Sequence, residues 1–252
     1  NGTTNFILTK MIEDGMEFAD ALKLAQDNGY AEKDPTADIE GFDACRKVCI
    51  LASLAFGKHV YPNQVATEGI SNISLEDVSY ISSIGGVIKL LGQIKYIDAE
   101  SIAACVSPAI VFHGSQLASV NGVFNAILVR GDAVGDVCFY GPGAGKLPTA
   151  SAVVADMVDA AKHIKRRKIF GWEDGFEKYV VDYRKVLQMP FYVRAKSSES
   201  KVKAVFGDVK FLQRVGQPSD EVAFITDSMT ENELDRKLEG IQVLNKIKVT
   251  NY

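Results

Sequence analysis

Apolar residues recur at helical spacing through the first part of the chain. Phe6, Ile7, Met11 and Ile12 form one such set. They predict a helix with Thr3 or Thr4 as N-cap and Gly15 as its stop. Phe18, Ala21, Leu22, Leu24 and Ala25 form a second stripe, over about 18–28, halted by Asn28 and Gly29. A loop carrying Glu32, Asp34, Asp38 and Glu40 follows. From Gly41 to Gly57 the sequence reads as a third helix, and after Lys47 it is apolar on nearly every side. A helix without a polar face has nothing to offer water, so the pattern predicts burial.

The period then changes. Pro62 breaks the helical pattern, and 65–73 is expected to be extended. Ser74, Leu75, Glu76 and Asp77 read as a helix start leading to Ile84, with a turn at Gly85 and Gly86. Residues 87–97 and 101–111 read as strands joined by Asp98, Ala99 and Glu100. Residues 123–130 and 134–140 read as two more in the same Val-, Ile- and Ala-rich sheet. Next comes a glycine loop, Gly141-Pro-Gly-Ala-Gly145, and a helix closed by the basic run 162–168. The loop matches neither Walker A nor GxGxxG. Two readings stay open: a tight turn needing positive φ at Gly141, Gly143 and Gly145, or close approach to a phosphate at a helix N-terminus. The basic run suits the helix macrodipole.

Residues 171–188 have no clear period and read as a linker, with at most a short strand at 179–181. Beyond it, 191–196, 208–215, 221–227 and 245–251 alternate as half-buried strands. Between them lie a short helix at 200–207 and an amphipathic helix at 230–241, where Thr230 and Glu233 fit a capping box. The order is βαββαβ. The fold class expected is therefore α/β (α+β), a mixed sheet covered by helices on one face and followed by a small ferredoxin-like domain. Residues 1–170 form the first domain, 171–188 the linker and 189–252 the second.

Composition narrows the function. The chain has 252 residues, 47% hydrophobic and 24% charged, with net charge −4. That excludes a strong field for nucleic acid or anionic membranes. No apolar run approaches the ~18 residues of a membrane span, and no signal-peptide pattern is seen, so a cytoplasmic protein is expected. Because it opens on Asn1 within what reads as a working segment, the chain is expected to be part of something longer. Four cysteines sit in apolar contexts without a CxxC spacing, and the three histidines are scattered. They read as buried thiols in a reducing compartment, with no metal site.

The candidate chemistry lies at Asp43 and Lys47, four apart on one helix face. On an exposed helix such a pair contributes ~0.3–0.5 kcal/mol and means little. On a buried helix beside an acidic loop it is costly to keep, and a functional pair is expected. Burial is known to draw a lysine toward proton exchange near neutrality.

The segments NGTTNFILTKM, GYAEKDPTADIEGFDACRK, VNGVFNAILVRGDAVG and YGPGAGKLPTASAVVADMVD, in that order, resemble homoserine dehydrogenases. The βαββαβ tail looks like the ACT domain that many bacterial members carry. The resemblance implies interconversion of L-homoserine and L-aspartate 4-semialdehyde with NADP or NAD, on the way to threonine, methionine and isoleucine. It implies Lys47 as proton donor, Glu32 and Asp43 as substrate ligands, and Asp38, Tyr30 and Thr3 as pocket residues. It places Gly29, Gly143 and Gly145 at the cofactor, and it implies a homodimer or higher homo-oligomer built through the sheet. The family's N-terminal Rossmann half and its monovalent-cation segment have no counterpart in this sequence, so the chain alone is expected to be nearly inactive. The family's Asp-x-Pro-Gly loop is replaced by Lys196, Ser197, Ser198, Glu199 and Ser200, which points to an assembly role for the tail. Two rival readings are a binding or regulatory module that keeps the fold without catalysis, and a scaffold in which Asp43 and Lys47 are only an ion pair.

Overall fold

The computed structural model describes residues 1–143, 145–166, 171–176 and 178–250. Ala144 of the glycine loop, Arg167 and Lys168 of the basic run and Asn251 of the last expected strand lie outside them.

Helix α1 (Gly2–Asp14) is capped by Asn1, whose side-chain oxygen accepts from the Thr4 amide at 3.0 Å. The expected caps, Thr3 and Thr4, are buried in the first turn instead. Asparagine is a better N-cap than threonine, and here it takes the boundary one or two residues earlier. Gly15 ends α1 at φ 63°. Helix α2 (Phe18–Asp27) follows, then a short helix α3 (Thr36–Ile39) inside the carboxylate loop. Helix α4 (Phe42–Phe56) runs between Gly41 and Gly57, both in the left-handed region. Strand β1 (Ala66–Thr67) is all that is regular in the segment expected to be extended. Helix α5 (Leu75–Ser82) starts on a capping box between Ser74 and Asp77.

Strands β2 (Gly86–Asp98) and β3 (Ser101–Phe112) form the long antiparallel hairpin at the centre of the sheet. Strands β4 (Phe124–Gly131) and β5 (Gly135–Pro142) pair with each other in a separate ribbon, not in the main sheet as expected. After the glycine loop, α6 (Lys146–Lys162) has no buried residue.

The segment expected as a linker is ordered into structure. Strand β6 (Val180–Val181) pairs with β3, and α7 (Tyr183–Val186) follows. Tyr179, Tyr183 and Leu187 are buried. The C-terminal run is β7 (Phe191–Lys196), α8 (Glu199–Phe206), β8 (Lys210–Leu212), β9 (Glu221–Ile225), α9 (Glu231–Lys237) and β10 (Gln242–Val249), the βαββαβ order read from the sequence.

β3 organises the sheet. One edge carries β2 along its whole length. The other carries three short parallel partners end to end: β6 at Ile102 and Ala103, β1 at Cys105 and Val106, β10 at Ala109 and Ile110. Through β10 the sheet continues into β7, β9 and β8, giving eight strands across both halves of the chain. Both faces of β3 are covered. Ile102, Ala104 and Val106 meet α4 and Ile110 meets α1 on one side, while Ala103 and Cys105 meet Tyr183 and Leu187 on the other. That explains its unbroken Ala/Val/Ile sequence. The helices therefore divide by face. Phe191, Val193 and Ala195 of β7 lie under α8 and α9, whereas Tyr192 faces the core shared with α1 and α5.

Candidate functional site

Asp43 and Lys47 form the pair their spacing predicts: Lys47 Nζ donates to Asp43 Oδ2 at 2.7 Å. Their expected burial does not hold. The lysine side chain is 60% exposed and the aspartate 30%. Only one face of α4 packs inward, through Ala44, Cys45, Val48, Cys49 and Ala52, while Ile50 and Leu54 remain more than half exposed. An apolar sequence on every side of a helix thus became one buried face and one open apolar face.

Asn1 joins the pair. Its Nδ2 donates to Asp43 Oδ2 at 2.6 Å and to Asp38 Oδ1 at 2.7 Å. Burial alone would raise the Asp43 carboxyl, but the hydrogen bonds from Lys47 and Asn1 outweigh it and hold the group below its usual value. Asp38 is carried by α3, which is seated by Ile70 N donating to Ile39 O at 2.8 Å. Gly69 allows this approach: a Cβ there would strike the Ile39 carbonyl and Glu40. Ser71 donates to Glu40 on the same edge. Sequence reasoning missed Asn1, because its role depends on two carboxylates 37 and 42 positions away.

Thr3 and Tyr30 are also brought together, through Thr3 Oγ1 donating to the Tyr30 carbonyl at 2.6 Å. The Tyr30 ring packs on Phe6 with centroids 5.0 Å apart. Glu32 stands apart: it is exposed, its carbonyl accepts from Gln26, and its carboxylate bonds to neither Lys47 nor Asp43. Among the described residues no group of three or more His, Cys, Asp or Glu is placed to hold a metal, and no helix is long and apolar enough to cross a membrane.

In the glycine loop only Gly145, at φ 113°, needs a conformation that favours glycine; Gly141 and Gly143 do not have positive φ. Gly143 is glycine for another reason, since a Cβ there would strike the Asn125 carboxamide. Gly145 opens α6, and the free amides of a helix start suit an anionic group. Gly29, at φ 72°, has open space where a side chain would be.

The model of one protein family, homoserine dehydrogenase, matches residues 1–158. The chain belongs to the homoserine dehydrogenase family. The enzyme of that name from Bacillus subtilis is 37% identical over 99% of this chain and 61% of its own length. The Corynebacterium glutamicum homoserine dehydrogenase is 50% identical over 65% of the chain and 38% of its own length. Among solved structures, the Thiobacillus denitrificans homoserine dehydrogenase superposes on the whole chain with TM-score 0.85 at 33% identity, covering 62% of that protein. A hyperthermophilic archaeal homoserine dehydrogenase in complex with NADPH matches 67% of the chain with TM-score 0.51 at 30% identity, and 46% of its own length. The chain spans about three-fifths of the bacillary homoserine dehydrogenase. Its fold, including the C-terminal strands, is the fold of the solved bacterial homoserine dehydrogenase.

Proposed function

We propose that this chain carries the substrate-binding and proton-transfer part of an NAD(P)-dependent homoserine dehydrogenase, acting between L-homoserine and L-aspartate 4-semialdehyde. The observation that carries the reading is the cluster of Lys47, Asp43, Asp38 and Asn1 on the open face of α3 and α4. Both substrates carry an ammonium group, which carboxylates recognise, and both carry the oxygen that gains or loses a proton. Asp43 orients Lys47 through the 2.7 Å hydrogen bond. The Lys47 ammonium then gives its proton to the substrate oxygen as the aldehyde becomes an alcohol, and takes it back in the reverse direction. Asp38 and Asp43 hold the amino end, with Glu32 reaching the same substrate from the loop, and Thr3 and Tyr30 close the wall. A nicotinamide cofactor, as in the archaeal relative, supplies or accepts the hydride when bound, with Gly29 and Gly145 as the positions that hold it. Gly143 belongs to the same loop and seats it on Asn125.

The exposed apolar residues favour an assembled protein. Phe124, Ile127, Phe139 and Tyr140 on the ribbon, and Leu147, Val154 and Met157 on α6, all face solvent. We assign the ribbon to contact with a second copy and α6 to the cofactor-binding part of the longer relatives. The protein acts in the cytoplasm in threonine, methionine and isoleucine synthesis, and 189–252 is an ACT-like regulatory domain. The test is Lys47→Ala at the full length of the relatives. Turnover should fall by two to four orders of magnitude, the range for removing a general acid–base group, with an unchanged circular dichroism spectrum. Turnover within threefold of wild type would remove Lys47 from the mechanism.

A further inference from the structure

Asn1 makes two kinds of contact with one carboxamide. Its Nδ2 gives one hydrogen to Asp38 at 2.7 Å and the other to Asp43 at 2.6 Å, while its Oδ1 accepts from the Thr4 amide at 3.0 Å. Only one orientation of the amide satisfies all three partners, since ionised carboxylates only accept and a backbone N–H only donates. The residue thus caps α1 and ties α3 to α4 at the same time. Asp43 in turn receives Lys47 on the same oxygen that Asn1 contacts, Oδ2. The charged groups around it are Asp38 from α3 and Asp43 and Lys47 from α4. From β2 comes Lys89, which shares with Asn1, Asn5 and Asn125 a small cavity of about 60 Å³.

We propose that Asn1 is a positioning residue of the reaction: its carboxamide sets the separation of Asp38 and Asp43, and through Asp43 the place of Lys47. Two carboxylates held close repel each other, and a neutral double donor between them offsets that repulsion. The substrate ammonium then finds a preformed pair, and Lys47 meets the substrate oxygen in one geometry. This inference rests on the reading of Lys47 and Asp43 given above.

Substitution by aspartate separates the two jobs. Asp ranks with Asn as an N-cap, so Asn1→Asp keeps the bond to Thr4 N, but it has no hydrogen to give either carboxylate and adds a third negative charge. At the full length of the relatives, Asn1→Asp is expected to lower kcat/KM by about 100-fold, the cost of a small misplacement at a reacting centre. The added repulsion should lower the melting temperature, so activity is compared at a temperature where the variant keeps the wild-type circular dichroism spectrum, and the acid limb of the pH–rate profile should move to higher pH, because like charges raise a carboxyl's pKa. Asn1→Ala, which loses cap and clamp together, should lose at least as much activity and melt lower. A purely structural residue would show the lower melting of Asn1→Ala, with Asn1→Asp within twofold of wild type in kcat, KM and pH profile; that result overturns the proposal. Lys47→Ala, measured in parallel, tells the two failures apart. If Lys47→Ala is fully active, the site itself is misassigned and the inference falls with it. If Lys47→Ala is inactive and Asn1→Asp is not, only the role of Asn1 is wrong.

Discussion

Lys89 carries a charge into the interior. Only 5% of the residue is exposed, and its ammonium donates to Val120 O at 2.5 Å and to the side-chain oxygens of Asn5 and Asn121 at 3.1 Å. All three acceptors are neutral. Burial lowers its pKa to about 8, and the carboxylate of Glu13 pulls only weakly the other way. The ammonium grips the turn that starts the β4–β5 ribbon. Asn5 does the same, donating to Val120 O, Gly122 O and Phe124 O. Between pH of about 8 and the ~10.4 of an unfolded lysine, the unfolded chain binds more protons than the folded one. The Lys89 contribution to stability therefore rises as pH climbs through that window. Lys89→Met should be less stable than wild type, with a gap that widens toward pH ~10, read from urea midpoints of both proteins. Parallel curves would show that Lys89 is not titrating there. At this scale the i to i+4 pairing of Asp43 and Lys47 was legible from spacing alone. Their exposure was not, because it depends on what lies opposite the helix.

Helix α4 packs on β2 and comes closest to it at Gly92. A Cβ on Gly92 would strike Val48 Cγ2, so the glycine is where the helix and sheet come nearest. Gly92→Ala should cost about 1–3 kcal/mol, the usual penalty of overpacking. Val48→Ala in the same background should recover part of it, and a cycle of thermal melts on the two single variants and the double variant would reveal the coupling. If the two losses simply add, the elements do not meet there. Most helices and strands were legible as elements, because periods of 3.6 and 2 follow from backbone geometry. The capping boxes at Ser74 and Thr230 were legible for the same local reason. What spacing could not separate is partnership. Strands β4 and β5 read as members of the main sheet, yet among the described residues they pair only with each other, and α6 reads as a helix while burying nothing.

Across the whole molecule the C-terminal strands are joined to the first half by more than β10. Asp77, at the start of α5, is fully buried and receives Arg194 Nε at 2.8 Å, Tyr192 OH at 2.9 Å and Asn245 Nδ2 at 2.8 Å. Glu221 extends the network to Tyr80 and Arg214, each at 2.9 Å. On the other face Lys248 lies 3.4 Å from Glu231 and 3.8 Å from Glu68, which precedes the Gly69 seat of α3. These pairs tie 189–252 to the edge that carries the candidate site. Removing one partner of a buried pair leaves the other charge uncompensated, so Asp77→Ala should destabilise the protein by about 3–5 kcal/mol, measurable by denaturant titration. A loss under 1 kcal/mol would mean that Arg194 finds water or another carboxylate.

By itself the sequence determined the local elements, the βαββαβ order of the tail, the placing of Lys47 and Asp43 on one helical face, and the family. Each is written in residues close together in the chain or in segments kept in order. Only the tertiary structure decided that β10 would fuse two expected domains into one sheet, that α4 would leave its lysine open to solvent, and that Asn1 would bridge Asp38 and Asp43. Those outcomes depend on contacts between residues dozens to more than a hundred positions apart. No periodicity encodes such a contact; it exists once packing has brought the surfaces together.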